Sequence, residues 1–229
     1  MDFNERTKLI IDDTRLHSSC VAVFGLGGVG SYTAEALVRA GIGKLVICDN
    51  DYITESNINR QLLALHSTVG RTKAGAAIER YLDINPDLEI HAFDDFILPD
   101  NTDSFFNRLM VRPDYVADCI DTISGKLAII AACKERNIPV ISCMGTGNKL
   151  HPEQFRISDI SRTSVCPLCR VMRKELRDRG IQDVPVLFSE EEPIKTGDTA
   201  IGSISTVPSV AGLLIANYII RDILDKAAD

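Results

Sequence analysis

A cluster of glycines near the N-terminus constrains the fold of this chain more than any other feature. Residues 20–24 (CVAVF) form an apolar, strand-like run, and residues 31–40 have the periodicity of a helix that ends before a glycine. Four glycines in a GxGGxG pattern lie between these segments: Gly25, Gly27, Gly28 and Gly30. Glycines at a strand–helix turn allow a tight reversal and let a phosphate approach the N–H groups that open the helix. The pattern therefore predicts a nucleotide-binding turn.

The rest of the chain alternates strand-like and helical segments. Further strands are predicted at residues 44–48, 89–93, 115–120, 140–143 and 154–157. Further helices are predicted at residues 72–85, 127–136, 166–179 and 209–225. Strands that alternate with helices of this length predict the α/β class, with a Rossmann-like, mostly parallel twisted sheet and helices on both faces.

Changes in pattern along the chain predict three parts. Residues 1–19 are predicted to form an N-terminal helical arm, residues 20–147 a nucleotide-binding Rossmann-like core, and residues 148–229 a C-terminal substrate lobe. Within that lobe, residues 188–202 lack periodicity and contain EEEP and TGDT, which predicts a mobile loop before a closing helix.

The composition excludes several classes of protein. The net charge of −7 gives no global basic signature for nucleic acid, although a local basic patch stays possible. No apolar run reaches about 18 residues, which predicts no membrane span, and the charged N-terminus lacks the apolar core of a signal peptide. Five of the seven cysteines lie singly in apolar runs, as expected for reduced thiols in a cytoplasmic protein.

Two acidic residues follow the second predicted strand. Asp49 lies 24 residues after Gly25, where a carboxylate can accept hydrogen bonds from ribose hydroxyls. Asp51 is the weaker candidate, because a role in the turn explains it equally well. NAD, FAD and ATP all carry a ribose, so neither residue distinguishes among these ligands.

The segment that follows distinguishes the ligands better. Residues 57–61 (NINRQ) supply Asn57, Arg60 and Gln61, and Lys73 opens the next predicted helix. A nucleoside triphosphate carries about four negative charges and needs cations in addition to helix N–H groups. A nicotinamide dinucleotide has two phosphates, which those N–H groups largely satisfy. The segment therefore favours ATP over a nicotinamide cofactor and disfavours an oxidoreductase.

A further acidic position ends the strand predicted at residues 115–120. The run VADCID places Asp118 and Asp121 there, and in a parallel sheet this end faces the ligand crevice. A carboxylate at that point can hold Mg²⁺ against phosphate oxygens, which makes Asp121 the candidate metal ligand. An N-cap of the following helix is the other role that Asp121 could have.

Together these motifs resemble the ThiF/MoeB/HesA family, whose members are relatives of the ubiquitin-activating enzymes. The resemblance covers about residues 5–147 and rests on GLGGVGS, NxNRQ, VGRTKA and the strand-end IDT. It implies the ubiquitin-activating-enzyme-like adenylation fold. It also implies an enzyme that adenylates a carboxylate with ATP and Mg²⁺ and releases pyrophosphate.

The resemblance implies roles for individual residues. The turn at residues 25–30 would cradle the nucleotide, and Asp49 would hold the ribose. Asn57 and Arg60 would contact the phosphates, with Gln61 close by.

Three further roles come from the same resemblance. Lys73 would neutralise charge at the transferring centre, and Asp121 would hold Mg²⁺. Arg6, in FNERT, would reach the ATP of a partner subunit, because the relatives are homodimers; a solvated position on the arm is the alternative.

The residues beyond 147 narrow the resemblance. DISRTSVCPLCRVMRKELRDRGI and then VPVLFSEEEP are similar to the tRNA threonylcarbamoyladenosine dehydratase branch of the family. This similarity implies that a threonyl carboxylate on a modified adenosine of tRNA is adenylated and then cyclised. A monovalent cation and a sulfur-delivery protein are associated with the branch and stay open here. The alternative is an enzyme that adenylates the C-terminal glycine of a sulfur-carrier protein, which the lack of paired CxxC motifs disfavours.

Four features stay open from the sequence. Cys166 and Cys169 form a CPLC pair without the second pair of a zinc site, so incidental thiols at a helix start are favoured over zinc, redox or thioester roles. Residues 190–203 could form a lid, and the last apolar helix could contact a membrane. Six basic residues could contact tRNA phosphates or form a solvated helix face: Arg162, Arg170, Arg173, Lys174, Arg177 and Arg179.

Overall fold

The structure is a computed structural model that describes residues 3–197 and 200–225, and these residues contain a seven-stranded sheet. The strands are β1 Cys20–Phe24, β2 Lys44–Cys48, β3 Glu89–Phe93, β4 Tyr115–Asp118, β5 Val140–Cys143, β6 Phe155–Asp159 and β7 Pro185–Ser189. Their order is β3-β2-β1-β4-β5-β7-β6. Neighbouring strands are parallel except for β6 and β7, which pair antiparallel. The predicted mostly parallel sheet is confirmed.

Helices cover both faces of this sheet, as predicted. The α-helices of the described residues are α1 Thr14–Ser18, α2 Gly30–Arg39, α3 Lys73–Ile84, α4 Thr102–Arg108, α5 Ile123–Glu135, α6 Pro167–Asp178 and α7 Thr206–Asp225. Helices α2, α3 and α7 pack on one face, and α4, α5 and α6 pack on the other. The α/β fold class is therefore confirmed.

The sequence of the central strand, β1, does not alternate apolar and polar residues, and the structure shows why. All five residues of β1 are buried. Val21 and Val23 belong to the core on the α2 and α7 face, whereas Ala22 and Phe24 belong to the core on the α4 and α5 face. A strand covered on both faces is a continuous apolar run, because both sets of alternating side chains are buried.

The strand order places a crevice beside β1. The chain passes from β1 to β2 and β3 on one side and then returns to β4 and β5 on the other. The carboxyl ends of β1 and β4 therefore border the topological switch point, where open parallel sheets bind ligands. The turn at residues 25–30 and the turn at residues 119–122 both lie at this edge.

One sequence prediction of local structure is wrong, and β7 and α4 were not predicted. The loop predicted at residues 188–202 begins too early, since Phe188 and Ser189 end β7, which pairs with β5 and β6. Pro185 obscured this strand in the sequence, but a proline is tolerated at the first position of a strand. Helix α4 was not predicted, because its seven residues are too few for a clear helical period.

The N-terminal arm is helical only in part. A 3₁₀ turn at Thr7–Leu9 and the five-residue helix α1 are separate elements. The side chain of Asp12 accepts hydrogen bonds from the N–H and the hydroxyl of Thr14, at 3.0 and 2.6 Å. Such a local turn competes with continuous helix and separates the two elements. The division at residue 147 stays a prediction, and β6 and β7 extend the same sheet as the core.

The C-terminal helix α7 has the length and apolarity of a membrane-spanning helix. It nevertheless packs closely on α2: the Thr33 hydroxyl donates to the carbonyl of Gly212 at 3.1 Å, and a Cβ at Gly212 would lie 2.4 Å from the carbonyl oxygen of Val29. Ile215 and Ile219 are fully buried. Packing in the core therefore explains the apolar character of α7.

Candidate functional site

Two close backbone approaches shape the glycine turn. Gly25 has a φ of +85°, and a Cβ there would lie 2.9 Å from the carbonyl oxygen of Cys119. A Cβ on Gly30 would lie 1.7 Å from the carbonyl oxygen of Gly25. Only glycine fits at these two positions, because α2 begins directly against the end of β1. The N-terminus of α2 is thereby presented to the crevice.

The N–H groups of this turn are available to a ligand. No side chain caps α2, and within the described residues the N–H groups of Gly27 and Gly28 have no hydrogen-bond acceptor. A Cβ on Gly27 would meet the Nε2 of Gln61 at 3.8 Å, an ordinary contact, so the backbone is not crowded. Uncapped N–H groups at the start of a helix form an anion-binding site.

The carboxylate of Asp49 is fixed at the end of β2. One oxygen accepts the N–H of Leu26 at 2.6 Å, and the other accepts the N–H of Asp51 at 2.9 Å. The residue is 8% exposed. Since a carboxylate offers about four acceptor sites, Asp49 retains acceptor capacity for a ribose. Its bond to Leu26 also ties the end of β2 to the glycine turn.

Lys73 is held beside two carboxylates. Its Nζ lies 2.7 Å from Asp51 and 3.6 Å from Asp49. The Lys73 side chain is 6% exposed, whereas that of Asp51 is 62% exposed. Thr72 caps α3 by accepting the N–H of Gly75, which fixes the start of the helix that carries the lysine. The ammonium is therefore pre-positioned, with one partner that solvent can reach.

The NINRQ segment begins at Asn57, the last residue of a 3₁₀ turn at Glu55–Asn57, and continues into a further turn. The side-chain oxygen of Asn57 accepts the N–H of Thr54 at 3.1 Å, as part of a capping box. The Arg60 guanidinium donates to the carbonyl of Ser56 and to the side chain of Asn59, both at 2.9 Å. The stem of Arg60 reaches the glycine turn, since a Cβ on Gly28 would lie 3.5 Å from its Cγ.

Gln61 is buried beside the same turn with an unsatisfied group. The residue is 8% exposed, and its Oε1 has no hydrogen-bond partner among the described residues. Its Nε2 faces Gly27. A buried polar atom without a partner costs free energy, so a ligand that completes this site would offset that cost.

The candidate metal ligand lies on the neighbouring turn. Asp121 is exposed and precedes Thr122, the N-cap residue of α5. Asp118, at the end of β4, is fully buried, and its carboxylate is bonded to Lys126 and Ser142. No cluster of three or more metal-ligating side chains occurs in residues 3–197 and 200–225. One carboxylate is nevertheless compatible with Mg²⁺, which is commonly held by one or two carboxylates together with substrate phosphates.

Comparison with known proteins identifies the family. Residues 7–229 match the sequence profile of the ThiF family. The chain belongs to the ThiF family.

Three relatives define its place within the ThiF family. The chain is 40% identical to the tRNA threonylcarbamoyladenosine dehydratase of Bacillus subtilis (strain 168) over 227 residues, which cover 91% of this chain and 88% of that protein. The crystal structure of Escherichia coli tRNA N6-threonylcarbamoyladenosine dehydratase, TcdA, in complex with ATP matches with a TM-score of 0.90 at 32% identity, over 99% of this chain and 95% of that one. Ubiquitin-like modifier-activating enzyme 5 of Drosophila erecta is 39% identical over 142 residues, which cover 58% of this chain and 35% of that protein.

The structure does not bring Arg6 into the group of site residues. Arg6 is exposed on the N-terminal arm of this ThiF-family chain. Asn4 anchors the arm, because its side chain packs closely on Gly41. A Cβ at Gly41 would lie only 2.0 Å from the Nδ2 of Asn4. Leu9 and Ile10 are 82% and 83% exposed. An arm that presents apolar side chains to solvent is typical of a surface that contacts another protein.

The CPLC pair lies at the N-terminus of α6. Cys166 is the N-cap residue, and both thiols are free and buried. The interaction between the two thiols lowers the pKa of Cys166 and raises the pKa of Cys169. No third metal-ligating side chain joins them to form a cluster among the described residues.

The basic residues around α6 fall into groups with different partners. Three of them form ion pairs with Asp178 or Glu175: Lys174, Arg177 and Arg179. Arg173 donates to the carbonyl of Thr163 at 2.6 Å. Two are exposed and form no ion pair within 4 Å in the described part of the chain: Arg170, and Arg162, which interacts electrostatically with Asp159. A ligand phosphate would therefore meet exposed cations at the N-terminal end of α6.

The described part of the predicted lid contacts loops that border the crevice. The N–H of Ile194 donates to the carbonyl of Asn148 at 2.7 Å. The Asn59 side chain, in the NINRQ segment, donates to the carbonyl of Ser203 at 3.0 Å. A lid function for residues 190–203 stays a prediction.

Lys126 has no role predicted from the sequence, although it belongs to the framework of the site. Lys126 lies in α5 and its side chain is 1% exposed. Its Nζ lies 3.2 Å from a carboxylate oxygen of Asp118. The signal for it was a single cation within the apolar run GKLAIIAAC, eight residues after an acid.

Proposed function

We propose that this ThiF-family chain is an ATP-dependent tRNA threonylcarbamoyladenosine dehydratase. The observation that carries the proposal is the extent of the similarity. The Bacillus subtilis dehydratase matches 91% of the chain, and the Drosophila erecta modifier-activating enzyme matches 58%. A match of that extent necessarily includes much of residues 148–229, the part that we expect to bind the acid substrate.

The proposed reaction solves a chemical problem, because a carboxylate is a poor electrophile. An oxygen of the threonyl carboxylate attacks the α-phosphate of ATP, and pyrophosphate leaves. An internal nucleophile of the same nucleoside then attacks the acyl adenylate, and AMP leaves. The nucleoside loses one water in total, and ATP is split into AMP and pyrophosphate. Such a sequence needs positioning and charge neutralisation rather than a covalent nucleophile on the enzyme.

The glycine turn and Asp49 would bind the nucleoside part of ATP and its phosphates. The free N–H groups of Gly27 and Gly28 suit phosphate oxygens. The remaining acceptor sites of Asp49 suit the ribose hydroxyls. The buried Gln61 amide beside Gly27 would gain a partner from the bound nucleotide, which removes the cost of its unsatisfied oxygen.

Lys73 and Arg60 would supply the positive charge for phosphate transfer. Lys73 can exchange the exposed Asp51 carboxylate for a phosphate oxygen with little movement, because its helix start is already fixed. Arg60 makes hydrogen bonds to neutral acceptors only, so its charge is free to meet an anion. Asn57 would approach the phosphates through the nitrogen of its amide, since its oxygen caps a 3₁₀ turn.

Asp121 would hold Mg²⁺, which supplies charge neutralisation at the phosphates when it is bound. Two partners belong to the same proposal: tRNA as the substrate, and a second copy of the chain whose Arg6 completes the ATP site. A cytoplasmic location, a monovalent cation and a sulfur-delivery partner stay predictions.

The alternative is adenylation of the C-terminal glycine of a sulfur-carrier protein. The described residues contain no four-ligand zinc site, and the coverage by the dehydratases exceeds that by the modifier-activating enzyme. Both observations favour tRNA as the substrate.

The proposal is tested by ATP turnover with each class of substrate. Purified protein is incubated with ATP and Mg²⁺, alone, with tRNA that carries threonylcarbamoyladenosine, or with the same tRNA lacking that modification. We expect AMP and pyrophosphate only with the modified tRNA. Turnover that a small sulfur-carrier protein elicits, and that modified tRNA does not, would replace this proposal with the alternative.

A further inference from the structure

A cluster of three polar side chains lies sealed beneath the crevice. Asp118 ends β4 and is fully buried, and Lys126 in α5 is 1% exposed. The Lys126 ammonium lies 3.2 Å from Oδ2 of Asp118, and the hydroxyl of Ser142 in β5 donates to the same oxygen at 2.6 Å. Lys126 also lies 3.4 Å from the Ser142 hydroxyl. Three elements of the fold therefore meet at one carboxylate oxygen.

Stability alone does not account for this cluster. Moving two charges out of water carries a desolvation cost that their mutual attraction offsets only with good geometry and additional hydrogen bonds. Well-packed apolar side chains of similar volume often serve at least as well. The surroundings are already apolar, since Val116 and Val140 lie two residues before Asp118 and Ser142 on the same face of the sheet and are almost completely buried. A charged cluster at this place is therefore better explained by a need to orient the backbone next to it.

The second carboxylate oxygen of Asp118 identifies the segment that the cluster orients, the turn at residues 119–122. Oδ1 accepts the N–H of Ile120 at 3.3 Å, which fixes the first half of the turn at residues 119–122. The second half is fixed by the backbone N–H of Lys126, which donates to the carbonyl of Thr122 at 3.0 Å. Asp121 lies between these two bonds. The ion pair thus joins the two residues that hold the turn at its two ends.

The same turn is in contact with the glycine turn. The N–H of Cys119 donates to the carbonyl of Phe24 at 2.8 Å, and the carbonyl of Cys119 lies against Gly25. A shift of residues 119–122 would therefore move both the Asp121 carboxylate and the wall of the phosphate-binding turn.

We propose that Asp118, Lys126 and Ser142 form a positioning clamp that holds the turn of Asp121 in the geometry for the nucleotide and its Mg²⁺. The role of the clamp rests on the proposed function, because that function requires the nucleotide and Mg²⁺ to be bound here. Its members touch no substrate, so they are positioning residues that act through Asp121.

The first test uses the ligand-free protein. Asp118→Asn with Lys126→Met removes both charges and keeps the side chains close to their original shapes. Amide hydrogen exchange at Ile120 should then accelerate at least tenfold. The matched control is Asp114→Asn, because Asp114 accepts the N–H of Cys20 at 2.8 Å next to the opposite end of β4. That variant should leave exchange at Ile120 unchanged.

The second test asks whether the clamp acts through Asp121. Calorimetry measures ATP affinity with Mg²⁺ present for the double variant, for Asp121→Asn and for the triple variant. We expect the double variant and Asp121→Asn each to bind about tenfold more weakly. The triple variant should bind no more than threefold more weakly than Asp121→Asn, because a clamp has no effect once its carboxylate is gone. Ser142→Ala keeps both charges and provides a milder variant, with a smaller effect of the same sign.

Two results would overturn the clamp. One is unchanged exchange at Ile120 in the folded double variant, and the other is a full additional loss of affinity in the triple variant. Failure of the proposed function gives a different pattern, in which the wild-type chain does not turn over ATP with modified tRNA while the exchange result still decides the clamp.

Discussion

Two lysines in this chain are each paired with carboxylates, but in opposite surroundings. Lys73 contacts Asp49 and Asp51, and the side chain of Asp51 is 62% exposed. Lys126 contacts Asp118, and both side chains are sealed, at 1% and 0% exposure. The first ion pair lies where solvent and a ligand can reach it. The second can be reached only through the core.

The difference shows that two ion pairs near the same site can have different roles. A pair with one exposed partner can exchange that partner for a phosphate, which suits a binding residue. A sealed pair cannot make this exchange, and removal of one member leaves an uncompensated charge in the core. We therefore expect stability and activity to separate at these two positions.

The largest effect on stability is expected at the sealed pair. Lys126→Met leaves Asp118 charged in the core, which should lower the free energy of unfolding by about 3–5 kcal/mol. Urea unfolding followed by circular dichroism measures this loss. Asp118→Asn in the same chain should recover part of it. A loss below 1 kcal/mol would show that the cluster is more hydrated than its burial indicates.

The largest effect on activity is expected at the accessible pair. Lys73→Ala removes a cation from the proposed phosphate site, which should reduce ATP turnover at least 100-fold, equivalent to about 2.7 kcal/mol. Arg60→Ala should act in the same direction, and both variants should stay folded. The control is Lys44→Ala, because Lys44 pairs with Glu89 at the opposite end of β2. Full turnover in both site variants would remove their assigned roles.

An intermediate effect is expected where exposed cations form no ion pair in the described part of the chain. Arg162→Ala with Arg170→Ala should weaken tRNA binding about tenfold at moderate salt and reduce its salt dependence, since two phosphate contacts would be lost. The matched control is Lys174→Ala, whose cation is already paired with Asp178 at 3.0 Å. Equal weakening by the control variant would show that α6 does not present a specific end to RNA.

A smaller effect is expected at Gln61, where a substitution should weaken ATP binding without lowering the free energy of unfolding. Gln61→Leu removes the buried oxygen that lacks a partner, so the free energy of unfolding should stay the same or rise by up to about 1 kcal/mol. The KM for ATP should rise about threefold to tenfold if the amide contacts the nucleotide. Steady-state kinetics with urea unfolding measures both. A KM that does not change would make Gln61 a packing residue.

The smallest effect concerns Glu35, a buried carboxylate that pairs with two partly exposed arginines, Arg39 and Arg80. Burial raises the pKa of Glu35, but hydrogen bonds from Arg80 and Arg39 outweigh it and hold this pKa below its usual value. A depressed pKa stabilises the fold above the unfolded-state pKa, and this contribution is lost as pH falls through the folded-state value. Glu35→Gln should therefore remove about 1 kcal/mol at pH 7 and less at pH 3. Unfolding curves at several pH values test the slope.

Much of the nucleotide side of the molecule was predictable from the sequence. The glycine turn, β1, β2, β3 and β5 carry local signals that tertiary structure did not override, such as apolar strands ending at glycine or aspartate. β7 was not predicted, because a proline opens it and its pairing partners lie far away in the chain. The sealed role of Lys126 was also not visible, because a lysine in a helix is solvated in most proteins.

The most direct test of the central claim is the mass of the modified nucleoside. Transfer RNA that carries threonylcarbamoyladenosine is incubated with ATP, Mg²⁺ and either wild-type protein, Lys73→Ala or Lys44→Ala, then digested and analysed by mass spectrometry. The account predicts loss of one water from the nucleoside with the wild type and Lys44→Ala, and almost none with Lys73→Ala. An unchanged nucleoside mass with folded wild-type protein that still converts ATP to AMP would contradict the account.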